Sequence, residues 1–158
     1  MNVDPIVLIT GGSRGIGAAT ALLAAQRGFA VAVSYASNAR AAQEVVRHIE
    51  AEGGRALAVQ ADVGDEAQVL AMFREVDEKL GRLSALVNNA GVVDVQARLD
   101  QMSVARLERM MRVNVVGSFI CAREAVRRMS TRHGGAGGVI VNVSSAAARL
   151  GSPHHYIH

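Results

Sequence analysis

Hydrophobic positions along the chain form two alternating patterns, short continuous runs and longer stripes at helical spacing. The continuous runs occupy residues 6–9, 30–33, 56–59, 83–87 and 139–143. Because polar and apolar positions do not alternate within them, these runs are typical of strands covered on both faces, as in a parallel sheet. The pattern therefore predicts five buried parallel strands.

The segments between the runs carry the periodicity of amphipathic helices. One stripe consists of Ala42, Val45, Val46 and Ile49, and a second of Val69, Met72, Phe73, Val76 and Leu80. A third stripe contains Val113, Val116, Phe119, Ile120 and Met129, and it could bury a face either in the core or against a partner. We expect its charged neighbours to point mostly outward: Arg123, Glu124, Arg127 and Arg128. An alanine-rich helix is predicted over residues 18–26.

The regular alternation of strand and helix predicts right-handed crossovers and a doubly wound α/β sheet in three layers, a Rossmann fold. Gly53, Gly81 and the glycine-rich loop 134–138 fall between the periodic segments, as turns do. Half of the 158 residues are hydrophobic, which suits one core. We expect residues 1–158 to form a single dinucleotide-binding domain, C-terminally incomplete after about the fifth strand.

Composition argues against several other classes of function. The formal net charge is +3, but acids are interspersed among the bases, and aromatic residues make up only 3% of the chain, so nucleic-acid binding is not expected. No apolar run reaches membrane-spanning length, and the N-terminus lacks a signal-peptide pattern. The single cysteine, Cys121, rules out an intrachain disulfide. We expect a cytoplasmic protein with no membrane or nucleic-acid partner.

The first strand runs directly into a glycine-rich turn, residues 10–17, that precedes the alanine-rich helix. Gly11 allows a sharp turn, Gly15 lets the backbone approach a pyrophosphate, and Gly17 permits close packing of helix on sheet. The GxxxGxG spacing lacks the Lys-Ser/Thr ending of a nucleoside-triphosphate P-loop. Such a cluster alone is often only a turn, so the prediction of a dinucleotide site depends on the motifs that follow.

Five motifs occur in the order found in the short-chain dehydrogenase/reductase family, and the whole chain resembles that family. They are TGxxxGxG at residues 10–17, Asp62-Val63, Asn88-Asn89-Ala90-Gly91, Asn114 and Asn142-Val143-Ser144-Ser145. The resemblance implies an oxidoreductase that transfers hydride between a nicotinamide and a small carbonyl or alcohol substrate. It implies a cofactor site made of Gly11, Ser13, Arg14, Gly15, Ile16, Gly17, Tyr35, Arg40, Asp62, Val63, Asn89, Ala90 and Gly91.

The end of the second strand bears on the choice of cofactor. An acid there binds the ribose 2′-hydroxyl of NAD and repels the 2′-phosphate of NADP, and residues 33–38 contain no acid. Arg14 and Arg40 can pair with a phosphate dianion; the alternative is that both are ordinary surface charges. We therefore expect NADP rather than NAD.

The resemblance also implies a catalytic set, for which the candidates are Asn114, Ser145 and Tyr156. In the family a tyrosine acts as general acid and base, and a lysine four residues later lowers its pKa. Tyr156 comes slightly early and only two residues follow it, so it is first a loop residue and second a catalytic candidate. Ser144 is an alternative to Ser145.

Two further possibilities depend on the end of the chain. His154, His155 and His158 could ligate a metal, but no acid or cysteine accompanies them, and no metal site is predicted. Without the tyrosine and lysine pair, the chain could instead be a non-catalytic dinucleotide-binding fragment or an interaction module. We also expect a homo-oligomer, a dimer or tetramer, formed through the bare edge of the fifth strand or the helix that bears Phe119.

Overall fold

The computed structural model describes residues 4–150 and contains a five-stranded, all-parallel sheet. The strands are β1 (Ile6–Ile9), β2 (Ala30–Tyr35), β3 (Ala56–Gln60), β4 (Ala85–Asn88) and β5 (Val139–Asn142). Their order in the sheet is β3-β2-β1-β4-β5. The predicted doubly wound sheet is confirmed, and the predicted strand boundaries differ from the observed ones by at most two residues.

Helices connect successive strands and form the outer layers. They are α1 (Gly15–Gln26), α2 (Ala39–Ala51), α3 (Glu66–Lys79), α4 (Val104–Met111), α5 (Gly117–Met129) and the short α6 (Ala147–Leu150), with a π-helical segment Arg112–Val116 between α4 and α5. Helix α1 begins three residues before the predicted start, inside the glycine-rich turn. Within residues 4–150 no helix combines the length and apolar character that crossing a membrane would need.

Two hydrophobic cores lie on opposite faces of the sheet. On one face α1 and α2 pack through Ala21, Val45 and Ile49 against alternate residues of β1 and β2. On the other face α3 and α5 pack through side chains that include Phe73 and Cys121. Strands β1, β2 and β4 are buried between the two helix layers, which explains why the sequence shows continuous apolar runs there rather than alternation; β5, predicted to be buried, is mostly exposed in residues 4–150.

The second predicted stripe is mostly buried, whereas the third is buried only in part. Val69, Met72, Phe73 and Val76 are buried as expected. In the third, Val113 and Met129 are buried, but Phe119 is 73% exposed and Glu124 is 4% exposed, so the expectation that Glu124 points outward is wrong. The π-helical segment adds a residue to its turn and shifts the face that the following helix presents to the core.

Candidate functional site

A cavity of about 430 Å³ opens at the carboxyl ends of the strands, where the strand order reverses between β1 and β4. Eleven residues of the predicted cofactor set line it: Gly11, Ser13, Arg14, Gly15, Ile16, Tyr35, Asp62, Val63, Asn89, Ala90 and Gly91. Segments far apart in the sequence therefore meet around one cavity of a size that suits a small-molecule ligand.

The three glycines of the turn have different physical reasons to be glycine. Gly11 and Gly15 have φ of +64° and +54°, a region that side chains other than glycine rarely adopt. A Cβ on Gly17 would lie 2.5 Å from Gly11 O and 2.5 Å from Asn89 Nδ2, so only glycine allows this close packing. A Cβ on Gly15 would meet nothing within 4 Å, because this glycine faces the open cavity.

The N-terminus of α1 points unsatisfied N–H groups toward this cavity. The first backbone hydrogen bond of the helix runs from Ala18 N to Arg14 O at 3.2 Å. The N–H groups of the three preceding residues have no acceptor within the helix, as at any helix start. Together with the helix dipole, they form a region that attracts anions such as phosphate.

The end of β2 forms the wall beside the turn. Ser34 accepts hydrogen bonds from the turn, from Gly11 N to its Oγ at 3.3 Å and from Gly12 N to its carbonyl at 2.9 Å. Ser37 and Asn38 follow and also line the cavity, and no carboxylate comes from this segment. The cavity is therefore uncharged here apart from Arg14.

Arg14 and Arg40, the two predicted phosphate-binding arginines, lie in different surroundings. Arg14 lines the cavity. The side chain of Arg40 is 89% exposed, lies outside the cavity lining and pairs with Glu44 at 3.0 Å, one turn further along α2. The geometry thus brings Arg14 to the cavity and does not bring Arg40 there.

Asp62 lies at the cavity wall after β3, where a turn fixes its carboxylate. Its Oδ1 accepts a hydrogen bond from Gly64 N at 2.9 Å, and its own N–H donates to Gln68 Oε1 at 3.0 Å. Nearby Asp65 caps α3, and hydrogen bonds from the side chain and the backbone N–H of Gln68 hold the pKa of Asp65 below its usual range. These hydrogen bonds hold the segment after β3 in place and leave Asp62 Oδ2 available as an acceptor.

Asn89 ties the end of β4 to the glycine-rich turn. Its Nδ2 donates to Thr10 O at 2.9 Å and to Gly11 O at 3.1 Å. In return, Thr10 Oγ1 accepts hydrogen bonds from the backbone N–H groups of Asn89 and Ala90, both at 3.0 Å. Because its amide donors are fully used, Asn89 positions the turn.

The predicted catalytic residues lie outside the cavity lining or outside the described residues. Asn114, in the π-helical segment, accepts from Val92 N at 2.8 Å and donates to Val92 O at 2.9 Å, so its side chain holds the loop after β4. Ser145 is exposed beyond β5, and its Oγ accepts from Ala147 N at 3.2 Å. Tyr156 and the three histidines lie beyond residue 150, outside the described part.

Several cavity residues were not in the predicted set: Ser34, Ala36, Ser37, Asn38, Ala61, Val92, Arg109 and Val113. Ser34 lies at the carboxyl end of β2, and residues 36–38 and 61 directly follow β2 and β3, so the rule that ligands bind at the carboxyl ends of parallel strands could have identified them. Arg109 lies on α4 and carries no such signal. Among residues 4–150 there is no cluster of three or more potential metal ligands.

A parallel sheet whose strand order reverses beside a glycine-rich turn defines a Rossmann-type fold, the class to which many dinucleotide-binding proteins belong. Within that class, the family model described as short chain dehydrogenase matches residues 5–157. The chain belongs to the short-chain dehydrogenase/reductase family.

Relatives and solved structures agree with this assignment. The chain is 54% identical over 152 residues to an uncharacterized oxidoreductase, YgfF, of Escherichia coli, covering 96% of this chain and 62% of the relative. It is 38% identical to the 3-oxoacyl-[acyl-carrier-protein] reductase FabG of Staphylococcus aureus, covering 97% of this chain and 61% of FabG. The crystal structure of a short chain dehydrogenase from Burkholderia cenocepacia in complex with NADP matches with a TM-score of 0.88 and 38% identity, covering 96% of this chain and 59% of that one. The chain thus spans about three fifths of the length of these relatives.

Proposed function

We propose that the chain binds NADP(H) in the cavity at the carboxyl ends of the strands and serves hydride transfer to or from a small carbonyl or alcohol substrate. The observation that carries this proposal is the composition of the cavity wall. A glycine-rich turn and helix N-terminus adjoin a β2 end without a carboxylate, and Arg14 supplies a cation beside them. That combination favours a dinucleotide with a 2′-phosphate.

The residues around the cavity fit the parts of such a cofactor. The open space at Gly15 and the free N–H groups of α1 suit a pyrophosphate. Arg14 and the hydroxyl of Ser37 suit a 2′-phosphate, and Asp62 suits the exocyclic amine of adenine. NADP(H), when bound, supplies a hydride donor or acceptor.

The remaining chemistry falls to hydroxyl groups near the end of β5. Ser145 Oγ accepts a hydrogen bond from Ala147 N, which leaves the hydroxyl hydrogen of Ser145 available to donate to a substrate oxygen. Asn114 holds the loop at Val92 that borders the cavity. Tyr156, which is first a loop residue, is only the second-rank candidate for exchanging a proton with the substrate oxygen.

The relatives support this proposal without fixing its details. A similar dehydrogenase has been crystallised in complex with NADP, and several of the most similar relatives are described as reductases. Their substrates differ, as versicolorin reductase and 3-oxoacyl-[acyl-carrier-protein] reductase illustrate. We therefore propose the reaction class and leave the substrate as a carbonyl or alcohol.

The cofactor proposal is tested by titrating the chain with NADPH and NADH and measuring Kd from nucleotide fluorescence. We expect NADPH to bind more tightly, and Arg14→Ala to reduce that preference about tenfold, since an exposed charge-assisted contact contributes on the order of 1–2 kcal/mol. Arg40→Ala should leave the preference unchanged because Arg40 lies outside the cavity lining. Arg27→Ala, at the opposite end of α1, is the matched control. Equal affinity for both nucleotides contradicts the proposal.

The reaction is tested separately, with the product of the complete gene and a panel of ketones, aldehydes and alcohols. Oxidation of NADPH that depends on a carbonyl substrate, and that Ser145→Ala reduces at least tenfold, supports an oxidoreductase. Tight binding of NADPH without turnover on any member of the panel favours the alternative, a non-catalytic dinucleotide-binding module.

A further inference from the structure

The end of β4 contains a buried polar side chain that the cofactor cavity does not use. Asn88 is 5% exposed. Its Nδ2 donates two hydrogen bonds, to Asn142 Oδ1 at 2.9 Å and to Ser118 O at 3.1 Å. Burying a carboxamide costs free energy unless it is hydrogen-bonded, and these two bonds offset that cost for Asn88.

The orientation of the Asn88 amide follows from its neighbours. Both groups that face Nδ2 are acceptors, a side-chain oxygen and a backbone carbonyl. The Oδ1 of Asn88 is buried without a hydrogen-bond partner among the described residues. Turning the amide over would place Oδ1 against two other acceptors, so the two donated bonds determine its orientation.

These bonds begin a polar chain that connects separate parts of the molecule. Asn142 ends β5 and Asn88 ends β4, and the two are direct partners in the parallel register. From Asn88 the chain passes to α5 at Ser118, whose hydroxyl donates to Asn114 O at 3.2 Å. Asn114 in turn holds Val92, which lines the cavity.

Strand β5 is joined to the rest of the fold by backbone pairing, by apolar packing and by this side-chain hydrogen bond. The backbone register pairs four residues of β4 with four of β5, from Ala85–Val139 to Asn88–Asn142, and Ile140 of β5 packs against the core on the α3 and α5 side. The Asn88–Asn142 bond adds a side-chain hydrogen bond to the last pair of this register, at the end from which Ser144 and Ser145 continue.

We propose that Asn142 is a positioning residue for Ser145: its Oδ1, held by Asn88 Nδ2, fixes the end of β5 and with it the serine hydroxyl three residues further on. This inference rests on the proposed function, in which Ser145 contacts the substrate oxygen. Asn142 lies outside the cavity lining, so the proposed role does not require contact with the cofactor.

Three variants of the complete gene product test the proposal. Asn142→Ala removes the acceptor and should lower kcat about tenfold while Kd for NADPH stays within about twofold, because a small displacement of a reacting group costs rate rather than affinity. Asn142→Asp keeps an oxygen that accepts from Asn88 Nδ2 and should restore most of kcat. Val141→Ala, an apolar side chain one position earlier on the same strand, is the control for general weakening of β5 and should keep kcat.

Amide hydrogen exchange provides a readout that is independent of turnover. Val143 N donates to Asn88 O at 2.9 Å, immediately beyond Asn142. Exchange at Val143 should be at least about fivefold faster in Asn142→Ala and close to wild type in Asn142→Asp, because the polar bond limits local opening. If Asn142→Ala is too unstable for kinetics, Asn142→Ser replaces it, and the same exchange measurement at Val143 is made on that variant.

The outcomes separate this inference from the proposed function. Two results overturn the positioning role alone. One is unchanged hydrogen exchange at Val143 in Asn142→Ala, and the other is a kcat of Asn142→Asp as low as that of Asn142→Ala. A wild-type protein without turnover overturns the proposed function and, with it, the role of Ser145. Loss of kcat in Asn142→Ala with rescue by Asn142→Asp supports both.

Discussion

Replacing Glu124 with Gln removes a negative charge that three arginines share. The Glu124 carboxylate is 5% exposed, and it accepts from Arg127 Nη1 at 2.8 Å, Arg128 Nη1 at 3.1 Å and Arg123 Nε at 3.2 Å. Gln has nearly the same shape, so the change tests charge and hydrogen bonding with little change in packing.

The three contacts differ in expected strength because the arginines differ in exposure. The side chains of Arg127 and Arg123 are 57% and 41% exposed, and pairs of this kind contribute less than about 1 kcal/mol each. Arg128 is 18% exposed, and a hydrogen bond to a charged group in such surroundings contributes about 1.5–3 kcal/mol. Arg128 keeps its pair with Asp77 at 2.8 Å after the change, which offsets part of the loss. We expect a loss of about 2 kcal/mol in the free energy of unfolding.

The effect should depend on pH in a defined direction. Burial opposes ionisation of Glu124, but hydrogen bonds from Arg128 and Arg123 and the charge of Arg127 outweigh burial and hold the pKa of this carboxyl below its usual range. A depressed pKa in the folded state contributes stability that is present above the unfolded pKa of about 4.3 and is lost as pH falls through the folded value. The difference in the free energy of unfolding between wild type and Glu124→Gln should therefore have its full size at pH 7 and become smaller below about pH 4.

Urea unfolding followed by circular dichroism at pH 7 and at acidic pH measures these differences. Glu66→Gln is the matched control, because Glu66 pairs with Arg123 but is 56% exposed and should cost less than about 1 kcal/mol. The reasoning is refuted if Glu124→Gln unfolds at the wild-type urea concentration, or if its deficit grows as the pH falls.

Three further predictions follow from single residues. Gly17→Ala should destabilise the chain by about 1–3 kcal/mol in urea unfolding, because its Cβ would lie 2.5 Å from Gly11 O; a wild-type midpoint would show that the turn relaxes freely. Burial, with a smaller effect from the charge of Glu124, raises the pKa of the Cys121 thiol to about 12, so a thiol reagent at pH 8 should react at least about a hundredfold more slowly with native than with denatured protein; equal rates would contradict this. Phe119 is 73% exposed, and if the chain self-associates through its helix, Phe119→Glu should shift a dimer or larger species to monomer in light scattering, whereas an unchanged mass would locate the contact elsewhere.

Local patterns determined a large part of the fold and of the cavity. The strands and the stripes of α2 and α3 could be predicted because periodicity reports directly which side chains a helix or strand buries. The glycine-rich turn could be predicted because Gly11, Gly15 and Gly17 meet requirements of conformation and space that few other residues satisfy. The order of the parallel strands then brought Asp62 and Asn89 to the same cavity.

What only the tertiary structure decided concerns residues whose role depends on distant neighbours. Arg14 and Arg40 look alike in the sequence, but the path of the chain brings one to the cavity and leaves the other beside Glu44. Glu124 is charged and was expected at the surface, yet arginines on the same helix compensate its charge and allow it to be buried. The bond between Asn88 and Asn142 joins residues 54 positions apart, and no local pattern reports it. Sequence periodicity records which face is apolar, whereas pairing of polar groups depends on distances that exist only after the chain has folded.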